Sequence, residues 1–254
     1  MNYQTIKVNF QNKICYIQIY RPDEKNTINE LLIEECHAVL DQCEESINIV
    51  VLEGLPEVFC FGADFQDMYA KLSSGQLVEP KPERLYDLWL RFATGPYITI
   101  SHVRGKVNAG GVGFVAASDI VLSDMTAQFS LSELLFGVFP AAVLPFLIRR
   151  VGIRKANYLT LMTQPYSVQQ ALECGMVDAC DNDSQALLRK HLLRLRPLSK
   201  KAILRYKRYM GRLVETLELS KQLAVEANKE VFSDPQNLEG IRRYVEKGIF
   251  PWEN

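Results

Sequence analysis

The chain has 254 residues, 48% hydrophobic and 23% charged, with a net charge of −1. That length supports one large core or two small ones, and the balanced charge argues against a nucleic-acid binder. The longest apolar stretch, Phe136 to Ile148, is too short for a bilayer and holds Pro140 and Pro145, and the opening MNYQTIKVNFQNK shows no secretory pattern, so a cytoplasmic protein without membrane contact is expected.

Residues 7–10 and 14–20 have the alternating, β-branched character of strands, separated by a polar Gln11-Asn12-Lys13 turn, and Arg21-Pro22-Asp23-Glu24 ends the second. Thr27-Ile28-Asn29-Glu30 fits a capping box, with Leu32, Cys36, Val39, Leu40 and Cys43 following at helical spacing. A short buried strand is predicted at 47–52, another at 97–103, then a glycine-rich turn, a helix at 112–117 and a strand at 120–122. Repetition of strand, strand and helix with short links predicts an α/β core wound as a spiral. The segment 72–82, LSSGQLVEPKP, reads as a polar, mobile loop. From about residue 150 the pattern turns helical, over 154–162, 168–174, 185–195 and 198–231, with no further strand expected. The spiral core is placed at 1–190 and the helical region at 191–254, within one continuous domain.

Arg189 to Arg212 carries ten Lys and Arg residues and no acid. Such a run is either a solvated helix face or a surface suited to an anionic partner. The six cysteines show no CxxC pair and sit mostly in apolar patterns, which predicts buried free thiols. His37, His102 and His191 lie far apart without ligand spacing, so no metal site is expected.

Two glycine-containing turns each follow a strand and precede a helix: Val58-Phe59-Cys60-Phe61-Gly62-Ala63-Asp64 and Asn108-Ala109-Gly110-Gly111-Val112-Gly113. Glycine lets backbone approach a ligand closely, and a helix start leaves amide N–H groups unpaired. Two such amides converging on one oxygen make an oxyanion hole. The plainer alternative is a pair of tight turns at strand ends.

With their surroundings, these strings resemble the enoyl-CoA hydratase/isomerase, or crotonase, family. The resemblance runs through nearly the whole chain: Arg21-Pro22 with Asn26 and Asn29, Phe59 to Phe65 with Met68, and Gly105 through Gly110-Gly111 to Asp119-Ile120. It continues in Ala127 to Ser130 with Glu133, Gly137 and Pro140, in Gly175-Met176-Val177-Asp178, and in Glu239-Gly240-Ile241 with Val245-Glu246-Lys247. By that resemblance the fold is a spiral of ββα units with a helical C-terminal oligomerisation region, and the protein is an enzyme that binds acyl thioesters. The oxyanion amides fall on Phe61 and Gly110. The family's hydratases use two glutamates: the second falls on Glu133, while Gly113 occupies the position of the first. Ala141 stands where the family's hydroxyisobutyryl-CoA hydrolases carry an aspartate, which counts against hydrolysis. The strings VLEGLPEVFCFGADF, KVNAGG, SLSELLFG and DPQNLEGIRRYVEKGIFPWEN are similar to the dehydratases of bacterial polyketide β-branching cassettes.

That branch implies 3-hydroxy-3-methylglutaryl on the phosphopantetheine arm of an acyl carrier protein as substrate, 3-methylglutaconyl as product, and no cofactor beyond that arm or coenzyme A. Glu133 would serve as acid and base, and Gly113 would leave room for the methyl-bearing carbon. Ala63 is a further candidate contact, and Tyr86, Lys106 and Asn108 are candidate donors to the distal carboxylate. A homotrimer or hexamer is implied. Rival readings are an isomerase or hydratase acting on free acyl-CoA, and a non-catalytic thioester-binding protein of the same fold.

Overall fold

The computed structural model describes residues 3–67, 70, 74, 81–213 and 215–253; Met68 and nearly all of the 72–82 loop lie outside the described residues. Strands β1 (Ile6–Gln11) and β2 (Ile14–Ile19) pair antiparallel from Ile6↔Ile19 to Gln11↔Ile14. Asn12 and Lys13 make their turn at φ 51° and 63°. Strand β3 (Ile49–Glu53) joins β2 in parallel, and it is buried on both faces. Val50 and Leu52 enter the main core, while Ile49 and Val51 pack with Ile100 and Leu122 against Leu188 and Leu192 of a covering helix. Burial on both faces is why this strand reads as an unbroken apolar run.

From β3 the chain winds. Strand β4 (Val58–Cys60) leaves the first sheet to begin a second, and the next pass repeats this with β5 (Ile98–Val103), β6 (Lys106–Asn108) and a helix at Gly110–Ala117. A third pass gives β7 (Ile120–Ser123), β8 (Gln128–Ser130) and a 3-10 turn at Glu133–Phe136. Strands β9 (Tyr166–Ser167) and β10 (Ala179–Cys180) then close one sheet each. The resulting orders are β1-β2-β3-β5-β7-β10 and β4-β6-β8-β9. This is the strand-strand-helix spiral that the repeat predicts.

Three local expectations need correction. Helix α1 (Glu30–Cys43) is capped by Asn29, whose side chain accepts from the Leu32 amide at 2.9 Å, and not by Thr27. The Thr27 hydroxyl is engaged with Arg21 and Asp64 instead. Helix α2 (Pro82–Thr94) stands where the patterning implies no element; it opens on proline and buries Tyr86, Leu88, Trp89 and Phe92. The helix Gly110–Ala117 is α3. Strands do not end at 150, because β9 and β10 follow; at two residues each, they are too short to show an alternating pattern. The helical region itself comprises α4 (Leu144–Val151), α5 (Ile153–Met162), α6 (Val168–Glu173) and α7 (Ser184–Leu195). It continues with α8 (Lys200–Leu213), α9 (Thr216–Ser233) and α10 (Pro235–Lys247), the first two covering the helical stretch predicted over 198–231.

The basic run is also less uniform than its sequence implies. Lys207 is buried, with its ammonium 2.5 and 2.6 Å from the two Asp119 oxygens. Lys200 donates to the carbonyls of Ile47 (2.6 Å) and Cys43 (3.2 Å), closing α8 onto the end of α1. Arg189, Lys190, Arg194, Arg196, Lys201, Arg205, Arg208 and Arg212 are exposed. The cysteines are all free, four of them buried and Cys174 and Cys180 half-buried. Among the described residues no helix is long and apolar enough to cross a membrane.

Candidate active site

The site begins where two turns touch. Beyond β4 the chain passes through Gly62 at φ 91°, a conformation that favours glycine. A Cβ there would lie 2.7 Å from Ala109 Cβ and 3.2 Å from Gly110 N, so the backbones meet with no room for a side chain. Beyond β6, Ala109 takes φ 49° and ψ −122°, an unusual place for a residue with a Cβ and a strain of roughly 1–3 kcal/mol. A Cβ on Gly111 would overlap the Cys60 carbonyl. Gly110 is the first residue of α3, so its amide has no acceptor within the helix and lies at the positive end of the helix dipole.

Buried polar side chains hold the turns in place. Asn26, fully buried at φ 53°, donates to the carbonyls of Ile19 and Val58 at 3.1 Å and of Phe59 at 3.2 Å, and accepts from the Arg21 amide at 2.8 Å. The Arg21 guanidinium donates to the Thr27 carbonyl and, at 2.9 Å, to Asp64 Oδ2. Burial works to raise the Asp64 carboxyl, but the Asp67 amide, Arg21 and Thr27 outweigh it and hold the group below its usual range. Asn108 ties the second turn to the segment after β8: it accepts from Ser130 Oγ at 2.7 Å and donates to Ser132 Oγ at 3.0 Å. The Ala109 amide donates to the Ser130 carbonyl at 3.0 Å.

Glu133 comes next after Ser132 and opens the 3-10 turn. It is 8% exposed, and its Oε2 has no hydrogen-bond partner among the described residues. Burial, with no cation acting on it among the described residues, pushes its carboxyl up to about 7, only partly offset by its own backbone amide. A carboxylate so poised can take up and return a proton near neutral pH. The turn is fixed from behind. Phe136 packs against Phe65, Tyr244 and Phe250, and Gly137, at φ 77°, has Asn237 against the position its Cβ would fill.

Phe61 and Gly110 lie half-buried on the two meeting turns, and Asn108 links the second turn to the segment bearing Glu133. The other predicted contacts fare differently. Tyr86 is fully buried and its hydroxyl donates to the Leu217 carbonyl at 2.6 Å, so it supports α9 and is not a donor to substrate. Lys106 stands exposed at the end of β6 away from the turn. Ala63 is exposed and bridges in parallel with Ile28. Asn108 is committed to the two serines. Gly113 opens no space: a Cβ there would lie 2.5 Å from Cε2 and Cζ2 of Trp89, whose indole fills the volume expected for a methyl-bearing carbon. Trp89 is the neighbour that sequence reasoning missed, since nothing in the spacing of α2 relates it to Gly113. Ala141, at the hydrolase aspartate position, is buried.

Comparison with known proteins agrees with this architecture. The family model for enoyl-CoA hydratase/isomerase matches residues 9–254. The chain is 61% identical to the bacillaene synthase dehydratase PksH of Bacillus subtilis, an alignment covering all of this chain and 98% of that protein. A crystal structure described as a polyketide biosynthesis enoyl-CoA hydratase (pksH) from Bacillus subtilis superposes with a TM-score of 0.97, covering 98% of this chain and 100% of the other. An enoyl-CoA hydratase/isomerase from Xanthobacter autotrophicus, 22% identical over 97% of this chain and 95% of its own, shares the fold with a TM-score of 0.86.

The raised carboxyl has a consequence for stability. Protonated Glu133 favours the folded state, and that contribution is complete below the unfolded value near 4.5 and lost as pH rises through about 7. Glu133→Gln, neutral at every pH, is therefore expected to match the wild type near pH 4.5 and to exceed it by about 3 kcal/mol above pH 8 in denaturant titrations. An advantage that does not grow with pH would contradict the buried, unpaired carboxyl.

Proposed function

We propose, for a chain that belongs to the enoyl-CoA hydratase/isomerase family, that it removes water from 3-hydroxy-3-methylglutaryl held on the phosphopantetheine arm of an acyl carrier protein. The product is the 3-methylglutaconyl thioester. The observation that carries this reading is Glu133, a buried carboxylate near neutrality on the segment tied to the second of two meeting turns. Full-length similarity to a protein named bacillaene synthase dehydratase supports the direction of the reaction, and similarity to a structure described as a polyketide biosynthesis enzyme is consistent with a carrier-bound substrate.

In this reading the amides of Phe61 and Gly110 donate to the thioester oxygen and acidify C2. Ionised Glu133 takes a C2 proton, and the electrons of the C–H bond move into the thioester as an enolate. The enolate collapses to a C2–C3 double bond as the C3–O bond breaks. Glu133 returns its proton to the leaving oxygen, water departs, and the carboxylate is ready again. No further cofactor enters, because the thioester supplies the acidity at C2. Since the cycle starts from ionised Glu133, kcat/KM rises with pH through about 7.

The carrier protein is assigned to the outer face of α8. Lys201, Arg205, Arg208 and Arg212 recur there at spacings of four, three and four, forming one exposed cationic stripe. Lys200 and Lys207 are spent inside the fold. Association into trimers or hexamers is supported by exposed Leu213, Leu219 and Leu223 on α8 and α9, more apolar surface than an isolated helical layer leaves uncovered. Leu217, in contrast, is buried within its own chain.

Mass spectrometry of carrier-bound 3-hydroxy-3-methylglutaryl is expected to show loss of one water with the wild type and turnover reduced at least ~10²-fold with Glu133→Gln. Rapid dehydration by the variant would remove the one-carboxylate mechanism. Charge reversal of Lys201, Arg205, Arg208 and Arg212 together is expected to raise KM for the carrier-bound substrate while sparing a short pantetheine thioester. An equal effect on both substrates makes the stripe structural, and no effect places docking elsewhere. Sedimentation is expected to give a trimer or larger assembly at micromolar concentration; a monomer would exclude it.

A further inference from the structure

Trp89 presents a buried donor that the fold leaves unused. Its ring is 1% exposed, and Nε1 has no acceptor among the described residues. A buried N–H without a partner costs about 1–3 kcal/mol, which invites the question of what acceptor it meets in the working protein. The ring is pinned. It meets Phe114 edge to face at 5.9 Å and 88° and Phe146 at 5.8 Å and 74°, and its Cε2 and Cζ2 lie 2.5 Å from the point where a Gly113 Cβ would begin. Nε1 is one covalent bond from Cε2. The same ring edge reaches the turn itself, because Cζ2 is 3.9 Å from the Cβ position of Gly110. A fixed N–H therefore stands beside the first turn of α3, where the amide of Gly110 emerges.

From this placement we infer that the Trp89 indole N–H is a specificity contact of the site, donating to the C3 hydroxyl oxygen of the acyl group. The inference rests on the proposed reading, in which the thioester oxygen occupies the amides of Phe61 and Gly110. The hydroxyl carbon is two atoms along the acyl chain from the thioester carbonyl carbon, so a thioester seated on the Gly110 amide carries its C3 close to the ring edge that lies 3.9 Å from the Gly110 Cβ position. An indole nitrogen donates and does not accept, so it selects for an oxygen and leaves proton transfer to Glu133. A neutral donor in an apolar wall also suits a hydroxyl better than the charged distal carboxylate, which would need a countercharge there.

The test uses the two-tryptophan composition of the chain. In a Trp252→Phe, Glu133→Gln protein, whose turnover is slowed at least ~10²-fold, Trp89 is replaced biosynthetically by benzothienylalanine, an isostere whose sulfur cannot donate. Affinity is measured for pantetheine thioesters of 3-hydroxy-3-methylglutarate and of 3-methylglutarate, which lacks the hydroxyl. Replacement is expected to weaken the hydroxylated ligand about tenfold and to leave the other within about twofold, as for one lost neutral hydrogen bond. Trp89→Phe is expected to erase the same discrimination. Equal weakening of both ligands would overturn the assignment by making the indole structural. Unchanged affinities would overturn it too, with the N–H spent on the face of Phe114 or Phe146. Failure of the reaction itself reads out separately, as wild-type protein leaving the hydroxylated thioester intact, while the binding comparison still decides the role of Trp89.

Discussion

The structure turns on one close approach, that of Gly62 to the Ala109-Gly110 turn. Nothing larger than hydrogen fits at Gly62, where a Cβ would lie 2.7 Å from that of Ala109. Much of the surrounding architecture serves to impose this meeting. Parallel pairing of β4 with β6 and of β6 with β8 brings three successive strand ends into line. Asn26 ties the Ile19 carbonyl at the end of β2 to those of Val58 and Phe59 on the first turn's approach, and Asn108 fastens the second turn to the serines before Glu133. The strain at Ala109 is tolerated because the ladder on one side and the helix on the other both determine that residue's dihedrals.

The buried charges around this junction are paired with one another. Arg21 and Asp64 neutralise each other on the first turn, and Lys207 and Asp119 do so under α8. With those charges paired elsewhere, burial is what governs the affinity of Glu133 for its proton. The electrostatic asymmetry left at the junction comes from backbone, through the amide end of α3. The exposed cationic stripe lies on α8, while nearer the site exposed Lys25 places its ammonium 5.6 Å from the centre of the Phe61 ring.

Local rules made much of this legible in the sequence. The hairpin, the apolar stripe of α1 and the glycine turns follow from alternation, helical spacing and backbone freedom, each decided by neighbours in the chain. Resemblance supplied the rest of the site, including Glu133, whose environment no pattern in FSLSELLFG announces. What stayed hidden depends on distant partners. The buried ends of Lys200 and Lys207 meet the Ile47 carbonyl and the Asp119 carboxylate, and the Tyr86 hydroxyl meets a carbonyl 131 residues away. Helix α2 comes after a segment of turn-like composition, and β9 and β10 are too brief to have a period. Gly113 illustrates the remaining gap: a glycine announces a missing side chain but not what has moved into its volume.

That volume has a historical implication. Residues 89 and 113 compete for one space, so neither can be exchanged independently of the other. A chain carrying glycine at 113 gains the indole as a packing element for Phe114 and Phe146, and any later carboxylate at 113 must first displace that ring. The pair forms an epistatic lock. Glycine at 113 is easy to keep and hard to exchange, because any path to a larger residue runs through an intermediate with either a cavity or a collision at the heart of the core.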